Sequence, residues 1–305
     1  MNQTEASGVP GVLVERRPAS RLAGRLGRNL WTFARRKPLG ALSALILVVF
    51  VLTAAFAQVV APYDPVLQHP GRNVEASSYE FWMGTDQLGR DIFSRIIYGA
   101  RISITVGFAA VAIGTTLGST LGLVSGYRGG KFDFYVQRLV DAWLSFPSLI
   151  IILTLVSWMG SSLINVCIAI GIGTIPHTSR LVRSTVLAVK ENDFILAARS
   201  LGAVDRRILA WHILPNVMAP IIIAATVSLG GAILAESSLS FLGLGVPPPS
   251  PTWGGMLSRE GREFMLIQPT MAVWPGFAIT AVVMAFNLFG DAMRDVWDPR
   301  LRGGR

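Results

Sequence analysis

The chain alternates long apolar runs with short charged connections. A helix that crosses a bilayer needs about 20 predominantly apolar residues. Six runs meet that requirement, at approximately 39–60, 102–125, 139–158, 161–178, 213–235 and 265–289. The fourth is short and holds Pro176 and His177 near its end. The pattern predicts an all-α integral membrane protein of six transmembrane helices. Residues 1–38 form a basic N-terminal segment, 39–101 the first helix with a long external loop, 102–290 a five-helix core, and 291–305 a tail.

Composition agrees with that pattern and charge orients it. With 51% hydrophobic and 15% charged residues and a mean hydropathy of +0.52, the chain is too apolar for an ordinary soluble domain. Its net charge of +9 then reflects topology rather than nucleic-acid binding, because lysine and arginine concentrate in cytoplasmic loops. Arg16, Arg17, Arg21, Arg25, Arg28, Arg35, Arg36 and Lys37 precede the first span, and Arg128, Lys131 and Arg138 lie between the second and third. Arg180, Arg183, Lys190, Arg199, Arg206 and Arg207 fill the fourth-to-fifth loop, and Arg294, Arg300, Arg302 and Arg305 follow the last span. The intervening connections are balanced: 63–101 offsets its arginines with Asp64, Glu75, Glu80, Asp86 and Asp91, and Arg259 and Arg262 sit beside Glu260 and Glu263. Both termini are therefore expected in the cytoplasm. The first apolar run ends without an A-x-A cleavage site and reads as a retained helix. Cys167 is the single cysteine, so there is no disulfide framework.

Within the spans, Gly114, Gly118, Gly122 and Gly126 repeat every four residues and form a smooth stripe on one helix face. Such stripes let helix backbones approach closely in lipid. Packing inside the bundle is the expected use, with a subunit interface or a translocation path as alternatives. Pro147, Pro176, Pro220 and Pro275 lie within or at the ends of spans, where neighbouring helices satisfy the freed carbonyls. Asp141 and Glu236 are the intramembrane carboxylates; both lie near predicted boundaries and read as interfacial groups touching water or an arginine. No ladder of acidic residues or histidines crosses the bilayer, which weakens an ion-coupled secondary transporter. His69, His177 and His212 form no H-E-x-x-H, there is no G-x-S-x-G, and Gly129-Gly130-Lys131-Phe132 lacks the first Gly and the Ser/Thr of a phosphate-binding loop. Any ATP hydrolysis belongs to another chain.

The basic loop between the fourth and fifth spans carries Leu196-Ala197-Ala198-Arg199-Ser200-Leu201-Gly202 and ends at His212-Ile213-Leu214-Pro215. This resembles the cytoplasmic coupling loop of ABC importer permeases. Further segments, in order, resemble the second permease subunit of dipeptide/oligopeptide/nickel importers. They are Trp31 to Gly40, Ala61-Pro62-Tyr63-Asp64-Pro65, Gly84 to Arg95, Tyr98 to Ser103, Gly126-Tyr127-Arg128-Gly129-Gly130, Leu239 to Gly245, Pro251 to Leu257, Phe286 to Asp291, and Asp298-Pro299. The resemblance implies a type I ABC importer permease fold in the bacterial inner membrane, with coupling loop 180–212 and external loop 241–264. It also implies a second homologous permease, two ATP-binding subunits that hold ATP and Mg, a soluble substrate-binding protein, and no cofactor on this chain. Phe194, Ala197, Ala198, Arg199, Leu201, Gly202, Leu214 and Pro215 would then couple to the ATPase. Leu196 departs from the Glu that usually opens this loop in the broader family.

Physical chemistry supports that reading of the loop. From Asp193 as N-cap, Phe194, Ala197, Ala198 and Leu201 share a helix face, and small alanines let the helix sit deep in a partner's groove. Gly202 suits a left-handed terminus and Pro215 a first helical turn. Arg199, Arg206 and Arg207 have two candidate partners, acidic residues of the ATPase or anionic lipid headgroups. In the external loops, the stiff Val246 to Pro251 run is expected to hold Trp253 over the mouth, and Asp86, Arg90, Asp91 and Trp253 are candidates for contact with the binding protein. The expected cargo is a di- or oligopeptide. Nickel, glutathione or another small solute is the alternative within the family, and secondary transport the alternative outside it.

Overall fold

The computed structural model describes residues 34–35, 37–258, 263–264 and 266–297. The sequence features at Arg16 to Arg28, Trp31 to Phe33, Arg36, Arg259, Glu260, Arg262, Met265 and Asp298 to Arg305 lie outside the described residues. The chain divides into units 1–38 and 39–305, and the second is the bundle.

Its helices are α1 (Pro38–Ala55), α2 (Ala57–Val60), α3 (Ile92–Arg128), α4 (Gly130–Leu144), α5 (Ser148–Met159), α6 (Leu163–Lys190), α7 (Asp193–Ser200), α8 (Leu214–Phe241), α9 (Trp253–Met256) and α10 (Thr270–Trp297). A helical turn, Asp205–Arg207, and a π-helical stretch, Ile208–Ile213, lead into α8. No strand occurs among the described residues.

Four helices, Pro38–Ala55, Ile92–Arg128, Asp205–Phe241 and Thr270–Val296, are long and apolar enough to cross a membrane, and a fifth span results if α4 and α5 are one broken span. The predicted third helix is thus corrected: its two halves meet at 86°. Pro147 is responsible, since it has no N–H to continue the ladder and disfavours helical geometry at Phe146. The predicted fourth span lies on α6, long enough but diluted by Asn165, Pro176, His177 and Arg180. Two boundaries also move. α3 begins at Ile92, inside the predicted external loop, and α6 continues through Arg180 and Arg183 to Lys190. At 37 residues α3 is about 55 Å long, well beyond an apolar slab of about 30 Å, so its ends reach out of it.

The glycine stripe does pack inside the bundle. A Cβ at Gly114 would lie 2.6 Å from the Gly171 carbonyl oxygen, at Gly118 2.8 Å from that of Ile175, and at Gly122 3.0 Å from the Arg183 nitrogen. All are backbone atoms of α6, so α3 and α6 meet main chain to main chain. The core then closes with α8 and α10, through Val106, Ala110, Val166, Ile170, Ile233 and Val282.

The two intramembrane carboxylates differ. Asp141 is half-exposed and pairs with Arg180 and, at 3.5 Å, with Arg138, as an interfacial group does. Glu236 is fully buried and meets hydroxyls, not an arginine: it accepts from Ser103 Oγ at 2.9 Å and Ser240 Oγ at 2.8 Å, tying α8 to α3. Glu236→Ala strands these hydroxyls and should cost about 1–3 kcal/mol, whereas Glu236→Gln keeps an acceptor and should stay near the parent. Thermal unfolding in detergent checks both, and an alanine variant as stable as the parent contradicts the tether.

Candidate functional site

At the Arg128 end of α3 the basic loop folds onto the bundle around a second apolar cluster, Tyr127, Val182, Val186, Ile195, Ile208, Ile213, Val217 and Ile221. α7 is its outermost element. Asp193 is the first helical residue rather than the cap; Asn192 occupies the cap without a side-chain bond to the helix. The helix ends as its sequence requires. The Gly202 N–H bonds the Arg199 carbonyl at 2.9 Å and the Ala203 N–H the Ala198 carbonyl at 3.0 Å, the paired bonds of a Schellman terminus, with Gly202 at φ +79°. Pro215 is the second residue of α8, but the predicted helix start is corrected: the helix runs on from Asp205, so Pro215 stands inside a continuous helix over 205–241, directly after the π-helical stretch Ile208–Ile213.

One residue seats α7. Ile195 is wholly buried, while Phe194, Leu196, Ala197 and Leu201 face outward, Leu201 being 88% exposed. Ala198 is half-buried at the margin, and Leu214 packs beside the cluster. Arg199, itself exposed, lays its guanidinium over Tyr127, 5.6 Å from the ring centre. The Tyr127 hydroxyl donates to Asp205 Oδ1 at 2.5 Å, so a single α3 tyrosine holds both limbs of the loop. Below it, Arg183 binds Asp133 with two bonds of 2.6 and 2.5 Å, locking α6 to α4. The result is a rigidly backed helix with apolar side chains turned outward at i, i+3 and i+7, a form suited to a partner's groove. Sequence reasoning missed Ile195, Tyr127 and Asp205. The signal available was Ile195 standing one position off the outward face.

The four external-loop candidates are not on the surface. Asp86, Arg90, Asp91 and Trp253 are all at most 7% exposed. Asp91 caps α3 by accepting from the Ser94 N–H at 2.8 Å, and Asp86 accepts from Arg90 Nε at 2.6 Å. The Trp253 indole donates to the Ile96 carbonyl at 3.0 Å and stands edge-on to Phe50. In this structure these residues fasten the connections to the bundle rather than offer a docking surface.

Residues 118–303 match the family of binding-protein-dependent transport system inner membrane components, and residues 26–77 match the N-terminal TM domain of oligopeptide transport permease C. The chain is 43% identical over 275 residues to the dipeptide transport system permease protein DppC of Alkalihalophilus pseudofirmus, covering 90% of each. It is likewise 43% identical over 276 residues to the glutathione transport system permease protein GsiD of Escherichia coli, covering 90% of this chain and 91% of the relative. Its fold is that of a chain of the MetNI methionine ABC transporter in inward facing conformations, at a TM-score of 0.57 and 18% identity over 68% of this chain and 98% of that one. It is a multi-pass protein of the bacterial inner membrane and belongs to the binding-protein-dependent transport system inner membrane component family.

Proposed function

We propose that this chain is a permease subunit of an ATP-driven importer of di- or oligopeptides. The observation that carries the reading is α7: an apolar face left uncovered by the rest of the chain, on a helix fixed from behind by Ile195 and Tyr127. In this reading the spans number six, with α4 and α5 as the third and α6 as the fourth, and both termini and α7 lie in the cytoplasm. α7 seats on one of two ATP-binding subunits, which hold ATP and Mg; this chain performs no hydrolysis and holds no cofactor. A second homologous permease forms the other half of the pathway, and a soluble binding protein delivers the cargo. Peptide cargo is favoured because relatives of equal identity are named for a dipeptide and for glutathione, itself a small peptide.

ATP binding brings the ATPases together and hydrolysis releases them; the coupling helices follow, and the permease halves rock between inward and outward access. The test is uptake of labelled dipeptide by vesicles holding the whole complex. Uptake should require ATP and be competed by peptides. Uptake that survives ATP depletion on an ion gradient alone would overturn the proposal, and competition by glutathione alone would redirect the cargo. Leu196 lies on the exposed side of α7 at 54% exposure. Leu196→Glu gives the loop the residue that usually opens it in the broader family and is expected to leave uptake close to the parent; a large loss in the same assay would show that α7 seats on its partner differently.

A further inference from the structure

One concavity lies inside the bundle away from the coupling loop. It is a half-open cavity of about 250 Å³ between the start of α5, the middle of α6 and the middle of α8. Its lining is unusual for mid-span positions: Ser148, Thr174, His177, Thr178 and Ser228 bring four hydroxyls and an imidazole among apolar walls. His177 is exposed halfway along α6, and Ser228 is halfway along α8. Polar and ionisable side chains at such depth face a water-filled cavity rather than lipid, where their groups would go unsatisfied. The bend at Pro147 turns α5 by 86° from the line of α4, and Ser148 at its start lines the cavity.

The lining also limits what passes. It includes no carboxylate and only one metal-ligating side chain, His177, which is a poor match to a divalent cation wanting several oxygen or nitrogen ligands. Hydroxyls and an imidazole both donate and accept, matching the N–H and C=O of an amide. The Thr174 hydroxyl donates to the Gly171 carbonyl at 2.8 Å, so toward the cavity it serves as an acceptor. Hydrogen-bonding partners of this kind replace lost water without holding the cargo, as conduction requires.

We infer that this concavity is the subunit's wall of the translocation pathway, where Ser148, Thr174, His177, Thr178 and Ser228 exchange hydrogen bonds with the amide groups of a passing peptide. The inference rests on the reading of the chain as a peptide permease. Gly231 supplies the test, because it lines the cavity and a Cβ there meets nothing within 4 Å.

In the complete complex, on a Cys167→Ala background, Gly231→Cys should react with a charged, water-soluble methanethiosulfonate. Saturating dipeptide should slow the reaction, and modification should abolish uptake while ATP hydrolysis continues. Ser228→Cys, nearly isosteric with its parent, serves as the second variant should the first fail to assemble. Val49→Cys, on the exposed face of α1, is the lipid-facing reference and should react only with a membrane-permeant maleimide. Cysteines at 231 and 228 that behave like the one at 49, or uptake unchanged after full modification, would overturn the wall. A parent complex, with Cys167 in place, that takes up no dipeptide with ATP would instead sink the peptide-cargo reading on which this inference rests, whatever the labelling.

Discussion

Gly122→Leu should leave no folded permease to recover from the membrane. A Cβ at Gly122 would collide with the Ser179 carbonyl oxygen and come within 3.0 Å of the Arg183 nitrogen. Neither obstacle is a side chain that can rotate away; both are α6 main chain. Relief requires α3 and α6 to separate, which breaks the neighbouring contacts at Gly114, Gly118 and Gly126 together. Overpacking a core typically costs about 1–3 kcal/mol, occasionally more, and this contact, made by main chain, has little room to adapt. In lipid no hydrophobic force between helices compensates, since association depends on close packing itself. Arg183 adds to the loss, because shifting α6 moves it from Asp133. Yield and melting temperature in detergent measure the effect. Gly276→Ala, on α10 with nothing within 4 Å of its Cβ, should behave like the parent. A Gly122→Leu protein of normal yield and melting temperature would refute the main-chain packing.

That stripe was legible in the sequence because a repeat of small residues has one physical use in lipid, close approach. Gly202 was legible for a similar reason: it meets a demand of the backbone at its own position. What escaped were demands that arise between distant residues. Nothing local marks Tyr127 as the anchor of a loop whose Asp205 stands 78 positions later, nor Ile195 as the pivot of a helix whose neighbours look equally apolar. Trp253 was misplaced because an aromatic in a proline-rich loop looks like surface. Its burial depends on Gly99, whose missing side chain makes room for the indole, and on the Ile96 carbonyl that receives its N–H. The third span misled because mean hydropathy is blind to direction: α4 and α5 sum to one span in apolarity but not in line. Pro147 was the visible cue.

Gly202→Val should separate ATP hydrolysis from uptake. Its effect is purely conformational, since a Cβ at Gly202 meets nothing within 4 Å, while its φ of +79° lies where a β-branched residue is an outlier. Forcing an L-residue there costs about 1–2 kcal/mol. The valine chain can avoid that cost by abandoning the Schellman terminus, which releases the bonds from Gly202 and Ala203 to Arg199 and Ala198. Asp205 would then lose its register with the Tyr127 hydroxyl, and α7 would pivot on Ile195 alone. The bundle, held by contacts elsewhere, should fold and assemble. In vesicles containing the complete complex, uptake per ATP hydrolysed should fall to a small fraction of the parent while hydrolysis persists. Gly202→Asn should recover most of the coupling, because asparagine tolerates the left-handed region. This pair distinguishes conformation from bulk: if valine and asparagine reduce coupling alike, the left-handed terminus is not what matters. If valine leaves uptake intact in a well-assembled complex, α7 is not the element that transmits the stroke.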